Sequence, residues 1–262
     1  MTDSTLPTAA IGRGVVAPRI SRLAAWRSRP PWSGAVPRTV AVLVALLGLN
    51  LAAHTTGLPA AVVIPVGAAV LAVLAWASGL RIRSLGLHHH HLRHGLKVGL
   101  LSAAAVAAVL AVALLIPQTA QFFHDTRYAS LSEVATAVLV MIPLTTVLPE
   151  ELAFRGVLDG ALQQHLGRTG SYAVGALAFG AWHVLTTGAL TRGNSGLGGI
   201  VGSGLTGQLL SIGGVVAATS AAGVALIWLR RHTGSLLAPI GLHWAINGLA
   251  AIATRIATHP PF

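Results

Sequence analysis

The sequence predicts an all-α protein, a polytopic bundle of about seven to eight transmembrane helices. Two observations lead to this fold class. Of the 262 residues, 54% are hydrophobic and only 9% are charged, whereas charged residues make up roughly a quarter of a typical soluble domain. The chain also contains repeated apolar stretches of about 20 residues, the length of helix that crosses a bilayer. This composition argues against a soluble globular domain.

The predicted spans follow one another from the first fifth of the chain to its end. Length and hydrophobicity place them at Thr39–Leu58, Pro59–Leu80, Leu96–Ile116, Leu131–Leu148, Ser171–Leu190, Gln208–Leu229 and Ser235–Ile256. Glycine and alanine are abundant within them, and Pro65 and Pro143 lie inside two of them. Both features are typical of membrane helices, where small residues permit close packing and neighbouring helices accommodate kinks.

The charged residues indicate an orientation. Lys and Arg outnumber Asp and Glu by 17 to 6. If the N-terminus is cytoplasmic, only Arg127, Arg192 and Arg255 fall outside, as the positive-inside rule favours. Residues 1–37 are then a basic, mostly disordered cytoplasmic tail without the apolar region of a signal peptide, and residues 38–130 hold the first three spans with their loops. Topology explains most of the charge, so nucleic acid is not an expected partner.

A histidine run, His88–His91, lies in the predicted loop between the second and third spans, with His94 nearby. Such a run is typical of metal binding. The other interpretation, which the ordinary protonation of exposed histidine favours, is a polar loop whose charge rises at low pH. The chain has no cysteine, so disulfides and a thiol nucleophile are excluded.

Three acidic residues follow the fourth apolar stretch in the segment PEELAFRGVLDGAL: Glu150, Glu151 and Asp159. Ionisable groups at membrane depth are rare and usually functional. If Pro149 begins a helix, Glu151 and Arg155 lie four residues apart on one face and can pair. Glu150 then faces elsewhere and is available as a base. The alternative is an interfacial charge cluster that caps a helix.

Two histidines and one amide lie in later apolar stretches. The segment AFGAWHV places His183 in an apolar helix four residues after Phe179, and GLHWAING places His243 and Asn247 on one helical face. Each of these side chains can serve as an interhelical hydrogen-bond partner. Together with the carboxylate pair they can activate water and stabilise an oxyanion, or supply a metal site of two histidines and one carboxylate.

These residues resemble the motifs of the CPBP family of intramembrane peptidases, which includes CAAX prenyl proteases and bacteriocin-processing or immunity proteins of bacteria. The family's E-E-x-x-x-R, F-x-x-x-H and H-x-x-x-N motifs occur here in the family's order. They correspond to Glu150, Glu151 and Arg155, to Phe179 and His183, and to His243 and Asn247. The resemblance covers roughly Leu131 to Ile256, so we expect residues 131–262 to form an intramembrane peptidase-like core.

The resemblance implies a cytoplasm-facing glutamic endopeptidase in the plasma membrane of a bacterium. Glu150 and His183 would activate water. His243 and Asn247 would form the oxyanion hole. The supporting residues would be Glu151, Arg155 and Phe179. The implied partners are membrane lipids and a protein or peptide substrate, with or without an attached lipid.

The resemblance implies no cofactor, but a zinc-dependent variant stays open, with Glu150, His183 and His243 as its candidate ligands. The commonest zinc-peptidase signature, H-E-x-x-H, is absent from the sequence. Two other functions also stay open. One is a proton- or cation-coupled transporter, against which the lack of an evident inverted repeat argues. The other is a non-catalytic immunity or scaffold protein of the membrane.

Overall fold

A computed structural model describes residues 34–81, 83–120, 122–123, 125–185 and 204–258. Most of the predicted tail, residues 1–33, lies outside the described residues, as does Arg192. The described residues contain helices and no strand, which confirms the all-α prediction.

Seven main helices are present in the described part of the chain. Their bounds are α1 Ala35–Thr55, α2 Ala60–Ala77, α3 His89–Leu115, α4 Leu131–Leu162, α5 Arg168–Trp182, α6 Gly204–Thr233 and α7 Leu237–Thr258. Two short helical turns, Pro117–Ala120 and Thr126–Tyr128, lie between α3 and α4. All the main helices except α5 are long and apolar enough to cross a membrane, in rough agreement with the predicted number of spans.

Large apolar side chains cover the outside of this bundle. In α3 only Gly95 and Gly99 are buried, and leucines and valines along the helix are exposed, including Leu101 at 61% and Leu115 at 82%. Contiguous apolar surface of this extent is typical of protein that contacts another apolar phase. Six such helices indicate that this phase is the hydrocarbon of a membrane.

Glycine permits the close approach of α3 and α7. A Cβ atom on Gly241 would lie 2.7 Å from the Cα atom of Gly99, and one on Gly99 would lie 2.8 Å from the carbonyl oxygen of Leu237. Both distances are too short for atoms that are not bonded. The two backbones therefore meet as in the small-residue contacts of membrane helices.

The fourth helix is longer than predicted and passes through the acidic segment. We predicted that the span ends at Leu148, which is wrong, because α4 continues to Leu162. Pro149, where the sequence is compatible with a helix start, lies within this continuous helix. The segment Ala137–Val147 is wound more widely, and the N–H group of Leu148 donates to the carbonyl of Pro143, five residues earlier. Wide turns of this kind accommodate prolines, which cannot donate.

The hydrophobic core surrounds the second half of α4. Val157, Leu158 and Leu162 are fully buried. They belong to a cluster that includes Leu46 of α1, Leu71 of α2, Phe179 of α5 and Leu226 of α6. Four other helices thus pack against the part of α4 that comes after the two glutamates in the sequence.

Candidate active site

The two glutamates of α4 are both buried, with Glu150 5% exposed and Glu151 0% exposed. A buried carboxylate is unfavourable unless charges or hydrogen bonds compensate it. Successive residues of a helix point in different directions, so the two side chains meet different partners.

Glu151 is paired on two sides. Its Oε1 atom lies 3.0 Å from Nη1 of Arg155, the partner that the four-residue spacing predicts, and 2.7 Å from Nδ1 of His243. Arg155 is also buried, and its guanidinium carbon lies 3.9 Å from the ring centroid of Phe179. A cation over an aromatic face is stabilised most where water is excluded. Glu151, Arg155 and Phe179 thus form a buried support that holds His243.

Glu150 has a different environment. The indole N–H of Trp182 donates to its Oε1 atom at 3.1 Å, while its buried Oε2 atom has no hydrogen-bond partner among the described residues. Across the site, Nε2 of His243 lies 3.9 Å from Oε2. One oxygen is thus fixed by Trp182, and the other can accept a proton.

We predicted that His183 lies inside a helix. In the structure it is instead the C-cap residue of α5. Its Nδ1 atom lies 2.8 Å from the carbonyl oxygen of Phe179. A carbonyl oxygen only accepts, so Nδ1 carries the proton and a neutral His183 ring has its lone pair on Nε2. The backbone of the helix end therefore sets the tautomer of this histidine.

The seventh helix supplies His243 and Asn247. The hydrogen bond from Nδ1 of His243 to Glu151 fixes the ring and turns Nε2 toward Glu150. Asn247 follows in a widely wound segment, Ala245–Leu249. Wide turns in membrane helices often mark functional sites.

A cavity of about 550 Å³ brings the four predicted catalytic residues together. Glu150, His183, His243 and Asn247 all line it. Of the predicted supporting residues, Phe179 lines the cavity, and Glu151 and Arg155 contact it only through His243 and Phe179. Much of the remaining lining is apolar or carries threonine hydroxyls, including Ile64, Thr145, Thr146, Thr219, Ala222, Leu226 and Ile246.

Sequence reasoning missed two residues that position Glu150. Trp182 was overlooked although it directly precedes His183, and an indole N–H inside a membrane protein needs an acceptor. Asn50 of α1 is buried and donates through Nδ2 to the backbone carbonyl of Trp182 at 2.9 Å. No motif marked Asn50, because its partner lies 132 residues away in the sequence.

His54 and Arg127 also line the cavity and were not predicted to do so. His54 is the penultimate residue of α1, and Arg127 lies in the connection between α3 and α4. The carboxylate of Asp125 binds Arg127, with an Nη2–Oδ2 distance of 2.5 Å.

The three candidate zinc ligands do not form a compact donor set. Among the described residues, His88, His89 and His90 are the only group of three whose ligand atoms all lie within 4.8 Å of one another. Glu150, His183 and His243 are not such a group in the described part of the chain. We predicted that the histidine run lies in a loop, which is wrong. The run forms the N-cap and the first turn of α3.

Comparison with known proteins found a family match in the second half of the chain. Residues 132–249 match the family model described as "Type II CAAX prenyl endopeptidase Rce1-like". This confirms the resemblance to CPBP intramembrane peptidases and supports an intramembrane endopeptidase that acts on protein. The matched region contains every motif residue from Glu150 to Asn247. Searches of curated proteins and of solved structures found no significant match.

Proposed function

We propose that the chain hydrolyses a peptide bond in a membrane-associated protein with a water activated by Glu150, because residues 132–249 match the model of the Rce1-like type II CAAX prenyl endopeptidases. The region 131–262 is its peptidase core, and 38–130 supplies the first three spans. We place the protein in a bacterial plasma membrane with its N-terminus in the cytoplasm, where lipids and a protein substrate, lipidated or not, are its partners.

One observation carries this proposal. The buried Oε2 atom of Glu150 has no hydrogen-bond partner among the described residues and belongs to a side chain that lines the cavity. Leaving such an acceptor unsatisfied is unfavourable. A water in the cavity satisfies it and is thereby held next to its base.

The first step is proton transfer from that water to Glu150. Nε2 of His183 accepts a second hydrogen bond from the water and orients it. The hydroxide oxygen then forms a bond to the scissile carbonyl carbon, and the carbonyl π electrons move to the oxygen. Trp182 keeps Glu150 in place through the other carboxylate oxygen.

The second step is the collapse of the tetrahedral intermediate. The Nε2–H group of a doubly protonated His243 and the amide N–H of Asn247 donate to the oxyanion. The C–N bond then breaks, and Glu150 returns the proton to the departing amine, so that a carboxylic acid and an amine are the products. Glu151 stabilises His243 through the hydrogen bond to Nδ1, as carboxylates do for catalytic histidines in other hydrolases. No cofactor takes part in these steps.

The experiment that tests this function compares cells that express the wild-type chain with cells that express Glu150→Gln, an isosteric variant. We expect at least one membrane-associated precursor to accumulate in the Glu150→Gln cells. The terminus that cleavage creates in wild-type cells should be missing from the Glu150→Gln cells. Gln164→Glu, on the exposed segment after α4, is a control with the opposite charge change. Unchanged termini in both variants would contradict the assignment of Glu150.

Metal dependence is tested separately with purified protein. Treatment with a chelator should leave the rate of cleavage unchanged, because the mechanism uses only the side chains of the chain. Activity that falls with the metal content and returns on addition of zinc would replace this mechanism with the metal-dependent variant.

A further inference from the structure

Another cavity, of about 380 Å³, shares no described lining residue with the active-site cavity. It lies where the junction of α2 with α3 meets the end of α4 and the end of α6. Three arginines line it: Arg83 from the junction, and Arg230 and Arg231 from the last turn of α6. We call it the arginine cavity. Because it is formed at the ends of membrane-spanning helices, it lies at the depth of the lipid headgroups.

Only one of the three arginines is paired with a carboxylate in the described part of the chain. The Nη2 atom of Arg231 lies 2.5 Å from Oδ1 of Asp159 and 2.8 Å from Oγ of Ser171. Neither Arg83 nor Arg230 forms an ion pair with a described carboxylate. The arginine cavity therefore carries a net positive charge.

Arg230 is the unusual member of the group, because it is only 6% exposed. Its Nη2 atom donates to the carbonyl oxygen of Ser84 at 2.8 Å, while its buried Nε atom has no hydrogen-bond partner among the described residues. Arginines that only complement the carbonyls of a helix end extend their charge into water. A buried guanidinium without a counter-charge is unfavourable. An anion in the arginine cavity would compensate it.

The junction of α2 with α3 holds the guanidinium of Arg230 in place. Gly86 of this junction has a φ angle of +79°, which favours glycine. A Cβ atom on Gly86 would lie 2.6 Å from Cζ of Arg230, so the backbone packs directly on the guanidinium. Arg230 is thus fixed before any ligand binds, whereas Arg83 is exposed and can adjust to one.

We propose that the arginine cavity binds a phosphate group. A phosphate offers several oxygens to guanidinium donors, and arginine binds it through two parallel hydrogen bonds. The depth of the cavity favours the headgroup of an anionic phospholipid as the source, since basic pockets between membrane helices bind such headgroups. A soluble phosphate ester has the same chemistry and is distinguished by experiment. The site is separate from the active-site cavity, so the inference does not depend on proteolysis.

The full chain is purified in an uncharged detergent, freed of bound lipid and titrated with one of three ligands. These are phosphatidylglycerol, phosphatidylcholine with the same acyl chains, and glycerol 3-phosphate. Bound ligand is counted by native mass spectrometry, and the unfolding temperature is measured at each concentration. Arg83→Gln removes a charge from an exposed side chain and leaves the packing unchanged. Arg93→Gln, also exposed and near the start of α3, is the matched control outside the arginine cavity.

The wild type should bind phosphatidylglycerol more tightly than phosphatidylcholine, and phosphatidylglycerol should raise its unfolding temperature. Arg83→Gln should weaken binding of phosphatidylglycerol about tenfold, as for the loss of one hydrogen bond between charged groups, and Arg93→Gln should not. Arg230→Lys keeps the charge but loses the paired donors, and should also weaken binding.

Equal binding of the two lipids by the wild type would overturn the site. So would an Arg83→Gln protein that binds phosphatidylglycerol as well as Arg93→Gln does. Glycerol 3-phosphate that binds as tightly as phosphatidylglycerol would keep the phosphate site but assign it to a soluble ester. These measurements need no catalysis, so failure of the proteolytic assignment would show only in the Glu150→Gln comparison.

Discussion

Glu150 and Glu151 are neighbours in the sequence, yet their side chains have opposite surroundings. Glu151 contacts both Arg155 and His243, so its charge is compensated and its position is fixed. Glu150 is held at one oxygen by an uncharged donor, the indole of Trp182. This donor orients the carboxylate through one oxygen and leaves the other oxygen to the cavity. Trp182 is thus the residue on which the orientation of Glu150 depends.

Trp182→Phe should reduce the rate of cleavage and leave the fold intact. The phenyl ring preserves the edge-to-face contact with Phe154, while the hydrogen bond to a charged group is lost, a loss that corresponds to about 10- to 100-fold in rate. The measurement is kcat with an identified substrate, together with the unfolding temperature. Trp228→Phe, an exposed tryptophan of α6 outside the cavity, is the matched control and should retain full activity. An active Trp182→Phe enzyme would contradict the positioning role.

The ion pair of Asp125 with Arg127, beside the active-site cavity, gives a pH dependence. Partial burial raises the pKa of Asp125, but hydrogen bonds from the side chain and backbone of Arg127 outweigh it, so the pKa of Asp125 lies below its usual value. A lowered carboxyl pKa means that the folded state binds the proton less tightly than the unfolded state. The stabilisation is therefore complete above the usual pKa of about 4 and is lost as the pH falls through the lowered value.

Asp125→Asn should accordingly lower the unfolding temperature near neutral pH and have little effect in strong acid. The check is a series of thermal unfolding curves of the wild type and the variant from about pH 7 to about pH 3. Adding Arg127→Gln to Asp125→Asn should cause no further loss, since the pair is already broken. A difference between wild type and variant that stays constant over this range would refute the pair as its source.

At the scale of helices, the contact of α3 with α7 controls where His243 lies. Gly241 is two residues before His243, and its backbone touches that of Gly99. Any side chain at this point must separate the helices and move His243 away from Glu151. The packing of one glycine pair thus determines the geometry of the site.

Gly241→Ala should lower both stability and activity, with a cost of about 1–3 kcal/mol in unfolding free energy as in other overpacked contacts. Gly213→Ala is the matched control, because a Cβ atom there meets nothing within 4 Å on α6. Unfolding in denaturant and the cleavage rate are measured for both variants. Equal behaviour of the two alanine variants would show that the α3–α7 contact is not tight.

The sequence predicted the helical class, because that class depends on local patterns. It also marked Glu150, His183, His243 and Asn247, which line one cavity in the structure. Spacing by four predicted the Glu151–Arg155 pair, and hydrophobic length predicted most spans. The sequence did not predict that α4 continues past Leu148, since proline usually interrupts a helix. The wide turns near Pro143 and Pro149 depend on neighbouring helices. Nor could it place Asn50 or Arg127 at the site, because only tertiary packing brings them there.

On the scale of the whole molecule, the apolar exterior defines the environment in which the fold is stable. Leu101 lies near the middle of α3 and Leu115 ends it, and both side chains are exposed. In a bilayer these positions differ in depth and hence in the energy of a charge placed there. In water they would be equivalent surface positions.

Leu101→Arg should impair membrane insertion far more than Leu115→Arg. A charge at the centre of a membrane helix costs about 2.5–3.5 kcal/mol on insertion scales, whereas one at the end reaches the interface. The fraction of protein integrated into membranes, measured by resistance to alkaline extraction, distinguishes the two. Equal integration would contradict a lipid-facing position for the middle of α3.

The cavity takes its reactive side chains from the middle of α4, the end of α5 and the middle of α7. His243 is 93 residues after Glu150, so a ribosome that has just released the glutamates has yet to make the histidine that faces them. On the mechanism proposed above, a partly synthesised chain therefore has the base but not the oxyanion donor. On the same mechanism, hydrolysis begins only after the last helix has entered the bilayer, so proteins at the site of insertion do not meet an active, incomplete chain.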